Sequence, residues 1–158
     1  MASDIFARIG DIKGESLDDQ HRDEIEVFSW SWSVTQTGSM AHGGGGGAGK
    51  ASFQDFTFTH RLDKASPLLM KACATGEHIK EATITVRKAG ENPQDFLIIT
   101  MSDILITGVA DSGADDGGTE SVALRCGRVD LEYKPQLADG SLDTGIHFRY
   151  DIKGNRTG

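Results

Sequence analysis

The stretch TGSMAHGGGGGAGKASFQDFTFTH, residues 37–60, decides which fold this chain can have. Seven of the thirteen residues from 38 to 50 are glycine. Gly44, Gly49 and Lys50 match the phosphate-cradling pattern G-x-x-x-x-G-K-[ST]. Followed by a helix, such a loop would make a nucleotide-binding α/β protein, because the phosphates rest on a helix N-terminus. Ala51, however, stands where Ser or Thr must ligate Mg²⁺, and Ser52 comes one position late. The residues after it alternate through Phe56 and Phe58 with the period of two that marks a strand. A glycine run between two strands reads as a long arm on a β-protein, over residues 37–52.

The strand before the arm is the clearest in the chain. In IEVFSWSWSVT (25–35), Phe28, Trp30, Trp32 and Val34 alternate with three serines. Ile25 and Val27 fall on the opposite phase, which predicts a bulge near residues 27–28 or a strand buried on both faces. The tryptophan face is expected to pack in the core, with an aromatic ligand platform as the alternative. Further strands are expected over 4–9, 82–86, 96–101, 104–109, 122–126, 129–133 and 146–152. The closing KGNRTG is expected to fray.

One helix is expected, over residues 66–75. Ser66 can cap it, Pro67 suits the first turn, and Gly76 can take the left-handed C′ position. Leu69, Ala72 and Cys73 share its apolar face, which Ala65 or Leu68 extends. About nine evenly spaced strands with one short helix, and no βαβ alternation, predict a mainly β fold. The expected form is a single-domain β-barrel or sandwich spanning residues 1–158.

Composition narrows the function. Net charge is −8, from 16 Lys and Arg against 24 Asp and Glu, which argues against nucleic acid or an anionic membrane as partner. No run approaches the ~20 apolar residues that cross a bilayer, and the first ten residues lack the pattern of a cleaved leader. Synthesis in the cytoplasm is therefore expected. Cys73 and Cys126 lie in apolar patterns and are expected to be buried free thiols, a disulfide being the alternative. Residues 15–26 are crowded with carboxylates but lack a Ca²⁺-loop register, so a solvated loop is expected there. The five histidines show no metal-binding spacing, and no nucleophile motif accompanies Ser or Cys. No catalytic residues, metal or cofactor are expected.

Several segments, read together, resemble the Hcp family, the tube protein of bacterial type VI secretion systems. They are Ile5-Phe6, Ile12-Lys13-Gly14-Glu15-Ser16, HRDEIEVFSWSWSV, FQDFTFTHRLDKASPLLMKACATGEHIKEATITVRKAG, ITMSDILITGV, VALRCGRVDLEYKPQ and FRYDIKG. The most specific are Leu62-Asp63-Lys64-Ala65-Ser66-Pro67 and Ala74-Thr75-Gly76. The glycine run, the DSGADDGG turn and the tail are least typical. The resemblance implies a phage tail-tube-like β-barrel of two sheets with one short flanking helix, and no enzymatic activity. It implies homohexameric rings that stack into a tube inside a contractile sheath, below a spike protein, with effector proteins held in the ring lumen. It also implies a subunit that is cytoplasmic before firing and then secreted, with neither nucleic-acid binding nor membrane insertion.

Residues 27–54 contain no carboxylate, and Lys50 is their only Lys or Arg. In an acidic protein that gap predicts contact, so Gly38, Met40, His42, Gly43, Gly46, Gly49 and Lys50 are the expected subunit or ring interface. A mobile surface loop is the plain alternative. Ordering a dozen such residues costs about 1–2 kcal/mol each, so the contact has to be extensive. A monomeric barrel binding a small ligand at Trp30 and Trp32 is the competing function.

Overall fold

The computed structural model describes residues 3–37, 50–90 and 92–158. In chain order the elements are β1 (Ser3–Ile9), β2 (Ile25–Ser31), β3 (Val34–Gln36), β4 (Ala51–Phe53), β5 (Phe56–Arg61) and α1 (Ser66–Thr75). There follow β6 (His78–Lys88), β7 (Gln94–Ser112), β8 (Thr119–Tyr133), β9 (Ile146–Asp151) and β10 (Arg156–Thr157). Eight strands form one sheet in the order β10-β9-β8-β5-β2-β1-β6-β7, and β7 pairs back onto β8. That last pairing closes six strands into a barrel. β3 and β4 form a separate two-stranded sheet.

The barrel is filled by the alternation of its strands. Ala7, Ile9, Ile25, Phe56, Phe58, Ile84, Ile99, Met101, Val122 and Leu124 are almost fully buried. They come from all six barrel strands, one residue in two, as a pleated strand requires. α1 adds Leu69 and Ala72 to the same core, with Ala65 just before it and Cys73 half-buried against it. Gly76 ends the helix in the left-handed conformation (φ 66°), which a side chain would strain.

Several expectations are corrected in detail. Ser66 is the first residue of α1 and not its cap; its Oγ accepts the Asp63 N–H at 3.1 Å, while Asp63 Oδ1 accepts the Ala65 N–H at 2.9 Å. Leu68 is exposed, so Ala65 extends the apolar face. The strands expected over 96–101 and 104–109 are one, as are those over 122–126 and 129–133. Asp103 and Gly127 interrupt the apolar pattern without breaking the ladder, in which Ser102 faces Arg128 and Ile104 faces Cys126. Conversely, the strand expected over 25–35 divides at Trp32 and Ser33. The tail is tied down, since Arg156 and Thr157 pair with Asp151 and Tyr150.

The bulge falls where the change of phase puts it: pairing between β2 and β5 slips between Val27 and Ser29. The extra residue, Phe28, turns outward and is 54% exposed, so it leaves the tryptophan face. The acidic segment is more than a solvated loop. Ser16, His21 and Glu24 are buried. His21 stacks on Phe6 at 4.4 Å, and its Nδ1 lies 2.9 Å from Glu24. Buried Arg87 donates to both Asp18 oxygens at 2.8 and 2.7 Å, and to Asp4 at 3.2 Å. The side of β1 that faces away from the core is thus roofed by its own chain, and Arg87 is the nail.

Candidate functional site

The segment expected to be an arm begins and ends on a two-stranded root. Val34, Thr35 and Gln36 of β3 pair with Phe53, Ser52 and Ala51 of β4. Below them the Gln54 N–H donates to Ser33 O at 3.0 Å, and the Trp32 indole N–H donates to Gln54 O at 2.9 Å. Every residue of β3 is exposed, as is Lys50. Ala51 opens a strand and not a helix, so the nucleotide-loop geometry is missing here. Of the expected interface residues, Gly38, Met40, His42, Gly43, Gly46 and Gly49 lie outside the described residues. Lys50 alone can be placed.

Beneath the root is a run of aromatic rings. Trp30 stacks on Phe56 at 5.7 Å, Trp32 meets Phe53 at 5.7 Å, and Phe53 meets Tyr150 at 5.2 Å and Phe148 at 6.4 Å. Both tryptophans are half-buried against the core, so the expectation of core packing holds in part. The alternation in 146–152 marks a strand, but nothing in the sequence says that β9 closes over Phe53. Phe53 itself gives a faint signal, being three residues before Phe56 and out of phase with it.

This arrangement follows from how β8 spends one edge. Its first half pairs with β5, down to Leu124 opposite Phe56; its second half pairs with β9, from Arg128 opposite Asp151. Between them the edge at Arg125–Gly127 is free of a strand partner. The Gly127 carbonyl there accepts the N–H groups of Ile152 and Lys153 at 2.8 and 3.3 Å. A Cβ on Gly127 would meet Lys153 Cε at 2.7 Å, a contact that the exposed lysine side chain can relieve by shifting. The gap opens a cavity of about 460 Å³ lined by Trp32, Phe53, Leu105, Leu124, Cys126 and Ile152 among others. Its charged groups are already answered: Asp103 lies 3.2 Å from His78 and 3.5 Å from Lys153, and Arg125 lies 3.2 Å from Asp55.

The chemistry available is limited. Burial pushes the Cys126 thiol up to about 11, which keeps it protonated and a poor nucleophile near neutral pH. Cys126 and Cys73 are both free thiols. His60 Nε2 lies 2.7 Å from Glu120 and His60 Nδ1 lies 3.6 Å from Asp63, but His60 and Glu120 are sealed in the core. A group no substrate can touch does not act on one. Among the described residues no three His, Cys, Asp or Glu cluster as a metal site, and no helix is long and apolar enough to cross a membrane.

Apolar side chains stay exposed at several places, Val34, Leu68, Met70 and Leu137 among them. Ile146 and Phe148 of β9 are 66% and 39% exposed, and Leu17 and Phe28, over β1 and β2, are 78% and 54% exposed.

Comparison with known proteins gives this geometry its context. Residues 6–133 match a family model described as "Type VI secretion system effector, Hcp". The chain is 51% identical to Protein hcp1 of Pseudomonas aeruginosa over 98% of both chains. It is 41% identical to Hcp1 of Salmonella typhimurium, whose crystal structure superposes with a TM-score of 0.81 over 99% of each. A solved "type six secretion system protein" shares the fold with a TM-score of 0.92 at 23% identity, over 99% of this chain and 100% of the other.

Proposed function

The chain belongs to the Hcp family of type VI secretion proteins, and on that premise we propose that it is a structural subunit of the secretion tube. Six copies form a ring, and rings stack into a tube inside the contractile sheath, below the spike. Effector proteins travel in the lumen. The subunit is cytoplasmic before firing and leaves with the tube.

The observation that carries this reading is the root of the arm. A paired ladder of β3 and β4, exposed along β3, brackets the carboxylate-free segment. A stretch so poor in charge on an acidic chain is suited to contact with another protein surface. The arm, from residue 37 to residue 52, accordingly reaches a neighbouring subunit or the next ring, with Lys50 as its one Lys or Arg.

Light scattering on the purified protein tests the ring, with the mass of six subunits as the expected result. Deleting residues 43–49 should leave the melting temperature unchanged and shorten the tubes seen by electron microscopy. Tubes of full length would remove the arm from stacking. The cavity beside Trp32 favours one competing reading, a monomeric barrel that binds a small apolar ligand. A monomer mass, with ligand-quenched tryptophan fluorescence, would select it.

A further inference from the structure

We infer that buried Glu120 is a proton-binding latch: carrying a proton it fastens the acidic turn over residues 112–118 to the barrel, and losing the proton it lets the turn come loose.

The geometry starts from a row of residues across three strands. Glu120 on β8 lies opposite His60 on β5 and opposite Asp111 on β7. Residues directly opposite in a ladder share a face, so the three side chains stand side by side. Those of His60 and Glu120 are completely buried, whereas Asp111 is exposed. Glu120 Oε1 lies 2.7 Å from His60 Nε2, but Oε2 is buried with no hydrogen-bond partner. A buried carboxylate with one oxygen unanswered is costly, and a second carboxylate beside it adds repulsion. A proton on Glu120 removes the charge and both costs with it.

The charged groups that face Glu120 come from both neighbouring strands. On the β5 side it is His60, with Asp63 behind it at 3.6 Å from Nδ1; on the β7 side it is Asp111. Thr119 and Ser121, which flank Glu120 on β8, carry no charge, and the Arg61 guanidinium is turned to the Phe28 ring at 5.9 Å. The turn leaves β7 at Ser112 and enters β8 at Thr119, so Asp111 and Glu120 are the pair one step inside its mouth. Residues 113–117 are exposed, and Asp115 and Asp116 add negative charge there. A long backbone bond, from the Leu62 N–H to Gly118 O at 3.3 Å, ties the turn to the residue after β5. A segment so lightly held opens at small cost once the row beneath it repels. Burial, and then Asp111, hold the Glu120 proton up to about 7, against the pull of His60. The latch is therefore closed in mild acid and released as pH rises past neutrality.

Amide hydrogen exchange on the full-length chain, corrected for the intrinsic pH dependence of exchange, reads the latch directly. Between pH 6 and pH 8, opening at residues 111–121 should increase at least about tenfold, the change expected when a carboxyl held at about 7 is released to 4.5. The other halves of the same strands, residues 97–101 and 129–133, should not follow. Glu120→Gln cannot ionise and should hold the increase below about threefold. Asp111→Asn, at an exposed position, should lower the midpoint by at least about half a pH unit, and it keeps the test decisive if Glu120→Gln does not fold. A full tenfold increase persisting in Glu120→Gln would overturn the inference. So would an unmoved midpoint in Asp111→Asn, or an equal increase at residues 97–101, which would mean that the whole barrel opens and not the turn.

Discussion

His60 and Glu120 face each other across β5 and β8 with no water access, and their ionisation is therefore part of the fold's stability. Burial, and then Asp111 opposite it on β7, push Glu120 from an ordinary value near 4.5 up to about 7, although His60 pulls the other way. Burial opposes a charged His60, but the carboxylates of Asp63, 3.6 Å away, and Glu120, 2.7 Å away, outweigh it and raise its pKa. Both groups hold their protons more tightly folded than unfolded. Glu120 thus contributes stability that is complete below about 4.5 and is lost as pH rises through about 7. Glu120→Gln cannot ionise, and should flatten the decline in melting temperature between about pH 5 and pH 8. An undiminished slope would place that titration elsewhere.

α1 shows which elements a sequence declares and which it hides. Its Pro67 start, Gly76 stop and Leu69–Ala72 face are all legible, because each is a local backbone or periodicity effect. Leu69 is completely buried, so Leu69→Ala should cost about 2–5 kcal/mol, read from chemical denaturation. The bulge at Phe28 was announced by a change of phase, and the strands after the arm by Phe56 and Phe58. What the sequence hid was pairing. Asp103 and Gly127 look like turns, yet each sits inside a long strand held by partners on the neighbouring strand. The roof over Phe6 was hidden for the same reason, since Arg87 lies 69 positions from Asp18. Of the segment over 37–52 the composition was legible and its root was not, because the break at Trp32 goes with an indole N–H reaching Gln54.

A net charge of −8 on every subunit opposes any ring. At ~10 mM salt the Debye length is about 30 Å, so whole subunits repel; near 0.15 M it is about 8 Å. Ion pairs inside a contact are screened far less, so raising salt across that range should lower the concentration at which rings form. Assembly weakened by salt, measured by light scattering, would show that contact pairs outweigh the net charge. The barrel's closure has a consequence of a different kind. β1 is held between β2 and β6, with Ser3 opposite Lys88 and Ile9 opposite Ala82. It is made first but one of its two edges finds a partner only when β6 has emerged. At roughly 5–20 residues per second, translation leaves that edge uncovered for on the order of 4–16 s. β6, β7, β8 and β9 pair successively with near neighbours in the chain and can form a meander promptly. Folding during synthesis ends later still, when β8 has emerged to pair with β5 on one edge and β7 on the other, and the nascent chain must be kept from its neighbours on the ribosome until then.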